Sequence, residues 1–147
     1  MGDTNEMAIE FEGRMCNEGF VRVAVAAFAT QLNPTLEEVA DIKTAVSEAV
    51  TNSIIHGYEY KEEKIIIKCK VQGTDFYVSV IDHGKGIENI EKAMEPLYTT
   101  KPQEDRAGMG FAFMEAFMDE VRVESEINGG CQVHMRKKIG GGNHLFQ

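Results

Sequence analysis

The chain contains no tryptophan, only three prolines and three cysteines, and far fewer bases than acids. Fifteen Lys and Arg stand against 24 Asp and Glu, a formal net charge of −9. Coating nucleic acid or docking on an anionic membrane needs clustered cations, so this balance argues against both. One bound polyphosphate is still allowed, provided a few local cations and backbone N–H groups offset the repulsion. Cys16, Cys69 and Cys131 are odd in number, lie far apart and form no C-x-x-C. They are expected to be reduced thiols in a cytoplasmic core, not a disulfide framework or a metal cluster. The longest wholly apolar run, Val23 to Ala29, falls far short of the ~20 residues that span a bilayer. Met1 to Gly13 has no apolar core of the signal-peptide kind, so a cytoplasmic location is predicted.

What is present fits one globular domain. Apolar residues make up 43% of 147 and charged residues 27%, enough for a core without staples. Without repeats or a linker rich in Pro, Gly or Ser, the domain is placed at 1–139, with 140–147 as a frayed tail.

Met7, Ile9 and Phe11 alternate with Ala8, Glu10 and Glu12, which predicts a half-buried strand. Asn17 precedes a buried helix over Glu18 to Leu32, closed before Pro34. Thr35 and Glu38 form a capping box that opens a second helix, able to run to about His56 with Gly57 as its stop. The alternation of Ile65, Ile67, Cys69 and Val71, a turn at Gly73-Thr74-Asp75, and Phe76 to Ile81 predict an antiparallel hairpin. Asp82 to Ala107 is irregular apart from a short helix around Ile90 to Met94, and so long a loop suggests a functional lid. Gly108 to Met118 predicts a third helix. Val121 to Ile127, a turn at Asn128-Gly129-Gly130, and Gln132 to Lys137 form a closing hairpin. This order lacks regular β-α alternation, so the fold class is α+β: a mostly antiparallel or mixed sheet with helices on one face.

Three short stretches could carry chemistry. Glu48 and Asn52 are four apart on the second helix and share a face, away from the arc of Val39, Ile42, Val46, Val50 and Ile54. That face is either plain solvated surface or a base beside a Mg²⁺ ligand, since Mg²⁺ needs few protein ligands besides phosphates. Asp82-His83-Gly84-Lys85-Gly86-Ile87 follows a strand directly. Such a hexapeptide is usually a glycine turn, yet a carboxylate at a sheet rim can accept from an exocyclic amine such as adenine's. Arg106-Ala107-Gly108-Met109-Gly110-Phe111 opens a helix, where N–H groups and the dipole favour an anion, with Lys101 and Arg106 as local cations. It is neither a Walker loop nor a dinucleotide fingerprint.

Taken together and in this order, the three stretches resemble the GHKL ATPase and kinase superfamily over nearly the whole chain. Ser47-Glu48-Ala49-Val50-Thr51-Asn52-Ser53-Ile54-Ile55-His56-Gly57-Tyr58 is similar to bacterial anti-sigma factors with serine-kinase activity. Glu95-Pro96-Leu97-Tyr98-Thr99-Thr100-Lys101-Pro102 and Gly108-Met109-Gly110-Phe111 resemble the sporulation branch of that family in endospore-forming bacteria. A histidine-kinase ATP domain would instead have Asn where Glu48 stands.

The resemblance implies a two-layer ATP-binding sandwich, ATP or ADP with Mg²⁺ as cofactors, and a homodimer. Its partners would be a sporulation sigma factor of the sigma F kind and a STAS-type anti-anti-sigma protein phosphorylated on serine. It implies Glu48 as base, Asn52 as Mg²⁺ ligand and Asp82 as the adenine reader, with Gly84 and Gly86 shaping the pocket. Thr99, Thr100, Lys101 and Arg106 would belong to the lid, and Gly108, Met109 and Gly110 would cradle phosphates. A nucleotide-gated sigma-binding protein without kinase activity, and a general-stress anti-sigma kinase, remain alternatives. The family's Gly-Thr-Thr stretch in the last hairpin is replaced by Gly130-Cys131-Gln132, so its threonine contact with adenine is not carried over.

The remaining features have plainer readings. His56 suits a helix C-terminus. Phe111, Phe113, Met114, Phe117 and Met118 suit a core. Arg22, a lone cation in the apolar first helix, must bring its head to solvent or to a partner protein.

Overall fold

The computed structural model describes residues 4–87 and 110–140. Five strands form one antiparallel sheet in the order β1-β2-β3-β5-β4, where β1 is Thr4–Glu12, β2 Lys64–Gln72, β3 Asp75–Asp82, β4 Glu120–Glu126 and β5 Gly130–Lys138. Among the described residues three α-helices, α1 (Met15–Ala29), α2 (Leu36–Asn52) and α3 (Gly110–Phe117), accompany it, and α2 packs against both of the others. The expected α+β class holds, and every strand pairing is antiparallel, so the sheet is not mixed.

Strict alternation decides which face the helices cover. Ile65, Ile67, Cys69 and Val71 of β2 are buried, as are Phe76, Val78 and Val80 of β3 and Cys131, Val133 and Met135 of β5. They meet Val21 and Val25 of α1, Ile42, Val46 and Val50 of α2, and Phe111 and Met114 of α3 in one continuous core. Asp82 continues the buried parity of β3, so its carboxylate falls on the helix side of the sheet. The opposite face carries Lys68, Lys70, Ser79, His134, Arg122 and Glu124.

α2 begins as predicted. The Thr35 side chain accepts from the Glu38 N–H at 3.0 Å, and the Glu38 carboxylate accepts from the Thr35 N–H at 2.9 Å. Its α-helical hydrogen bonding ends at Asn52, and Ser53–Gly57 continues as a π-helical turn, closed by the Tyr58 N–H on the Ser53 carbonyl at 2.8 Å. Lys137 joins three elements: its ammonium donates to the Phe117 carbonyl at the end of α3 and lies 3.5 Å from Asp41 of α2.

Four expectations need correction. The first helix starts at Met15, capped by the backbone of Arg14 without a side-chain bond. Asn17 is no cap; its amide donates to the Glu12 carbonyl. Nor is that helix buried all round, because Phe20 is 65% exposed and Val23 53%. Its apolar composition exceeds what one packed face can cover. For the same reason Cys16 is exposed, whereas Cys69 and Cys131 are core thiols. Val39, at the start of the predicted arc of α2, is only half-buried, because α2 enters the core from its second turn. No helix among the described residues is long and apolar enough to cross a membrane.

Candidate functional site

The helix side of the sheet holds a carboxylate where its apolar pattern ends. Asp82 is 3% exposed. One carboxylate oxygen, Oδ2, accepts from the Ser53 hydroxyl at 2.7 Å, and Oδ1 accepts from the Gly84 N–H at 2.9 Å. The backbone N–H of Cys131, its partner across β5, adds a third donor. Burial pushes the Asp82 pKa above the ordinary carboxylate value, while these three donors and then His83 pull it back. A buried carboxylate ringed by donors still has spare lone pairs, so what it can bind is a further donor.

Local structure explains how these groups meet. A π turn carries one more residue per turn than an α-helix, and here it turns Ser53 and Gly57 toward the end of β3. Gly57 then lies so close to the carboxylate that a Cβ there would sit 3.0 Å from Oδ2. Gly84 crosses Gly57, and a Cβ on it would lie 2.3 Å from the Gly57 carbonyl oxygen. Gly86 has φ +79° and passes against Glu126 of β4. The loop after Asp82 is thereby pinned on two sides. The Lys85 N–H bonds the Gly57 carbonyl, while Asn128 N–H meets the Lys85 carbonyl and Ile87 N–H the Ser125 hydroxyl.

Tyr58 ties the same loops from behind. Its buried hydroxyl donates to the Lys64 carbonyl at 2.6 Å and accepts from the His83 N–H at 2.7 Å. Burial raises its pKa first, and the His83 bond works against that. An adjoining cavity of about 400 Å³ is lined by Gly57, Tyr58, His83, Gly84 and Lys85 with Lys61 and Lys64. Asp82 is not among its lining residues, so this cavity neighbours the carboxylate cluster and is not its opening.

One helical turn before Asn52, Glu48 is 8% exposed. The alternative of a plain solvated face is therefore wrong for Glu48: α2 is covered by neighbours on this side as well. Asn52, on the same stripe, is half-buried. Gly110 is the first residue of α3. Thr99, Thr100, Lys101, Arg106, Gly108 and Met109 lie outside the described residues, as does the short helix expected at Ile90 to Met94. Arg22 is distant in sequence from this cluster and pairs with Glu18, one turn earlier on α1, at 3.5 Å.

A family model described as "Histidine kinase-like ATPase domain" matches residues 17–137. Among curated proteins, the anti-sigma F factor of Thermoanaerobacter sp. (strain X514) is 59% identical over 93% of this chain and 96% of its own length. The anti-sigma F factor of Clostridium kluyveri is 57% identical over 90% of this chain and 94% of its own. The chain belongs to the anti-sigma F factor family. A solved structure of the RsbU and RsbW domains of a Mycobacterium tuberculosis protein superposes with a TM-score of 0.67 at 21% identity, and so shares the fold. It covers 92% of this chain, which corresponds to 32% of that longer one.

As a member of this family the chain carries a kinase-like ATPase domain, and the carboxylate cluster sits within the matched span. Sequence reasoning had picked out Asp82, Gly84 and Gly86 but not Ser53, Tyr58 or Gly130. Ser53 directly follows Asn52, yet only the π turn brings it to Asp82. Gly130, at φ +98°, would place a Cβ 2.2 Å from the Asp82 carbonyl oxygen. The replaced Gly-Thr-Thr stretch supplies the Cys131 N–H to Asp82, while burial and then Asp82 itself push the Cys131 thiol up to about 12.

Proposed function

We propose that the chain is a Mg·ATP-dependent serine kinase that sequesters a sporulation sigma factor and inactivates a STAS-type anti-anti-sigma protein by phosphorylating it. The observation that carries the proposal is Glu48, a carboxylate buried on the helix whose end delivers Ser53 to Asp82. Adenine binding alone needs an acceptor such as Asp82 and no second buried acid.

In this reading Asp82 accepts from the adenine amine, and Gly84 and Gly86 let the base approach the backbone. Glu48 takes the proton from the substrate serine hydroxyl as its oxygen attacks the γ-phosphorus. The bond to the β-γ bridging oxygen breaks with its electron pair leaving on ADP. Thr99, Thr100, Lys101 and Arg106 close over the phosphates, and Gly108, Met109 and Gly110 offer them N–H groups. Asn52 would hold Mg²⁺. Mg²⁺ needs few protein ligands, because phosphate oxygens and water supply most of its coordination. When bound, that ion neutralises charge on the transferring phosphoryl group.

The acidic body suits a sigma factor, whose DNA-binding surface is basic, and Arg22 on α1 is the candidate for contact with a partner protein. The domain is taken as 1–139, acting as a cytoplasmic homodimer. The test is phosphate transfer from γ-labelled ATP to purified anti-anti-sigma proteins, with sigma-factor pull-down in parallel. Glu48→Gln should keep ATP affinity and slow transfer by about 10²–10⁴-fold, the usual worth of a general base. Transfer at the parent rate would remove Glu48 from its role. Sigma binding without transfer by the parent would favour a nucleotide-gated binding protein.

A further inference from the structure

We infer that Ser53 is a positioning residue for base selection: its hydroxyl orients the Asp82 carboxylate so that the site demands an amino group on the purine. This rests on the reading of Asp82 as the adenine acceptor and names what makes that acceptor selective.

The argument begins with the direction of each bond. Both carboxylate oxygens of Asp82 accept from inside the protein, Oδ2 from Ser53 at 2.7 Å and Oδ1 from Gly84 at 2.9 Å. With the Cys131 N–H, each hydrogen-bond partner of the carboxylate among the described residues is a donor. Two of the three are backbone groups, from Gly84 and Cys131. The Ser53 hydroxyl is the exception, and at 5% exposed it has no water to compete for its proton. It therefore fixes the rotation of the carboxylate about its own axis. The lone pairs left over point away from Ser53 and Gly84, and only a donor can use them.

Removing the hydroxyl has two consequences. The carboxylate loses the bond that sets its plane, and it also loses a donor that opposes the effect of burial. A carboxyl that rotates or takes up a proton no longer discriminates a purine carrying an amine from one without it. A serine that merely packed would do neither. Its loss would weaken all purine nucleotides alike.

Calorimetry of the full chain with Mg²⁺ and either ATP or purine riboside 5′-triphosphate, which lacks the amine, separates these cases. The parent should prefer ATP by about tenfold or more, the worth of a hydrogen bond to a charged group. Ser53→Ala should lose most of that preference through weaker ATP binding, with the purine riboside nucleotide unchanged. Ser53→Thr, which keeps the hydroxyl, should restore it. Ser53→Cys, of similar volume but a weak donor, should behave as Ser53→Ala while folding as the parent does. Equal losses for both nucleotides, or a preference unchanged in Ser53→Ala and Ser53→Cys, would overturn the inference. A parent that binds both nucleotides equally would overturn the reading of Asp82 itself, and the inference with it.

Discussion

Two serine hydroxyls lie on opposite sides of the central strands, each in a 2.7 Å hydrogen bond to a titratable group. Ser53 bonds Asp82 on the helix side, and Ser79 bonds His134 Nδ1 on the open side. The lengths agree, but the surroundings do not. Asp82 is 3% exposed and its ionised form is disfavoured by burial. His134 is half-exposed, with Glu124 3.8 Å from Nε2 and the Arg122 charge beside it. Burial lowers its pKa first and Arg122 second, so its charged form is disfavoured. The open-side pair is one element of a ladder of polar side chains that keeps this face in water. The helix-side pair is built around a group whose charged form burial disfavours. That difference is what separates a candidate binding group from structural decoration.

The comparison is broken most directly by Asp82→Asn. ATP affinity should fall by about 10–100-fold, while the unfolding temperature at neutral pH should hold or rise. A raised carboxylate pKa means protonation favours the fold. The Asp82 contribution is therefore present below its unfolded value near 3.8 and is lost as pH rises through the folded value. The stability advantage of the variant should grow over that window in thermal melts. A variant that is less stable yet binds ATP normally would reverse the assignment.

Gly84→Ala comes next. Its Cβ would lie 2.3 Å from backbone at Gly57, so one of the two loops must move. Overpacking of this kind costs about 1–3 kcal/mol, readable by urea unfolding. ATP affinity should fall with it, because the Gly84 N–H would leave Asp82.

The smallest effect lies on the open side. A lowered histidine pKa means the unfolded chain holds the proton more tightly, so this contribution is present above pH 6.5 and lost as pH falls below it. His134→Gln should flatten that dip, a change of about 1–2 °C in melting temperature, and leave ATP binding untouched. A change in nucleotide affinity would mean that the two sides are coupled.

Alternation was enough to predict all four later strands to within a residue or two, because one face of each turns toward the helices and period two leaves no other register. The capping box placed the start of α2 for the same kind of reason: its partners are three residues apart. The first helix was harder. An apolar run says that some of its side chains want burial, and not which ones find it, so the exposure of Phe20 and Cys16 went unread. Glu48 was ambiguous because spacing shows only that it shares a stripe with Asn52, not whether another element lies over that stripe.

The sequence by itself determined the antiparallel sheet, the buried parity that carries Asp82 to the helix side, and the three motifs that align the chain with its family. These are consequences of local period and residue chemistry. Only the tertiary structure decided that Ser53, Gly57, Gly84 and Cys131 converge on one carboxylate. A π turn, a hairpin crossing and a strand pairing bring together groups up to 78 positions apart, from Ser53 to Cys131. Hydrogen bonds act over about 3 Å in space, whatever the separation along the chain.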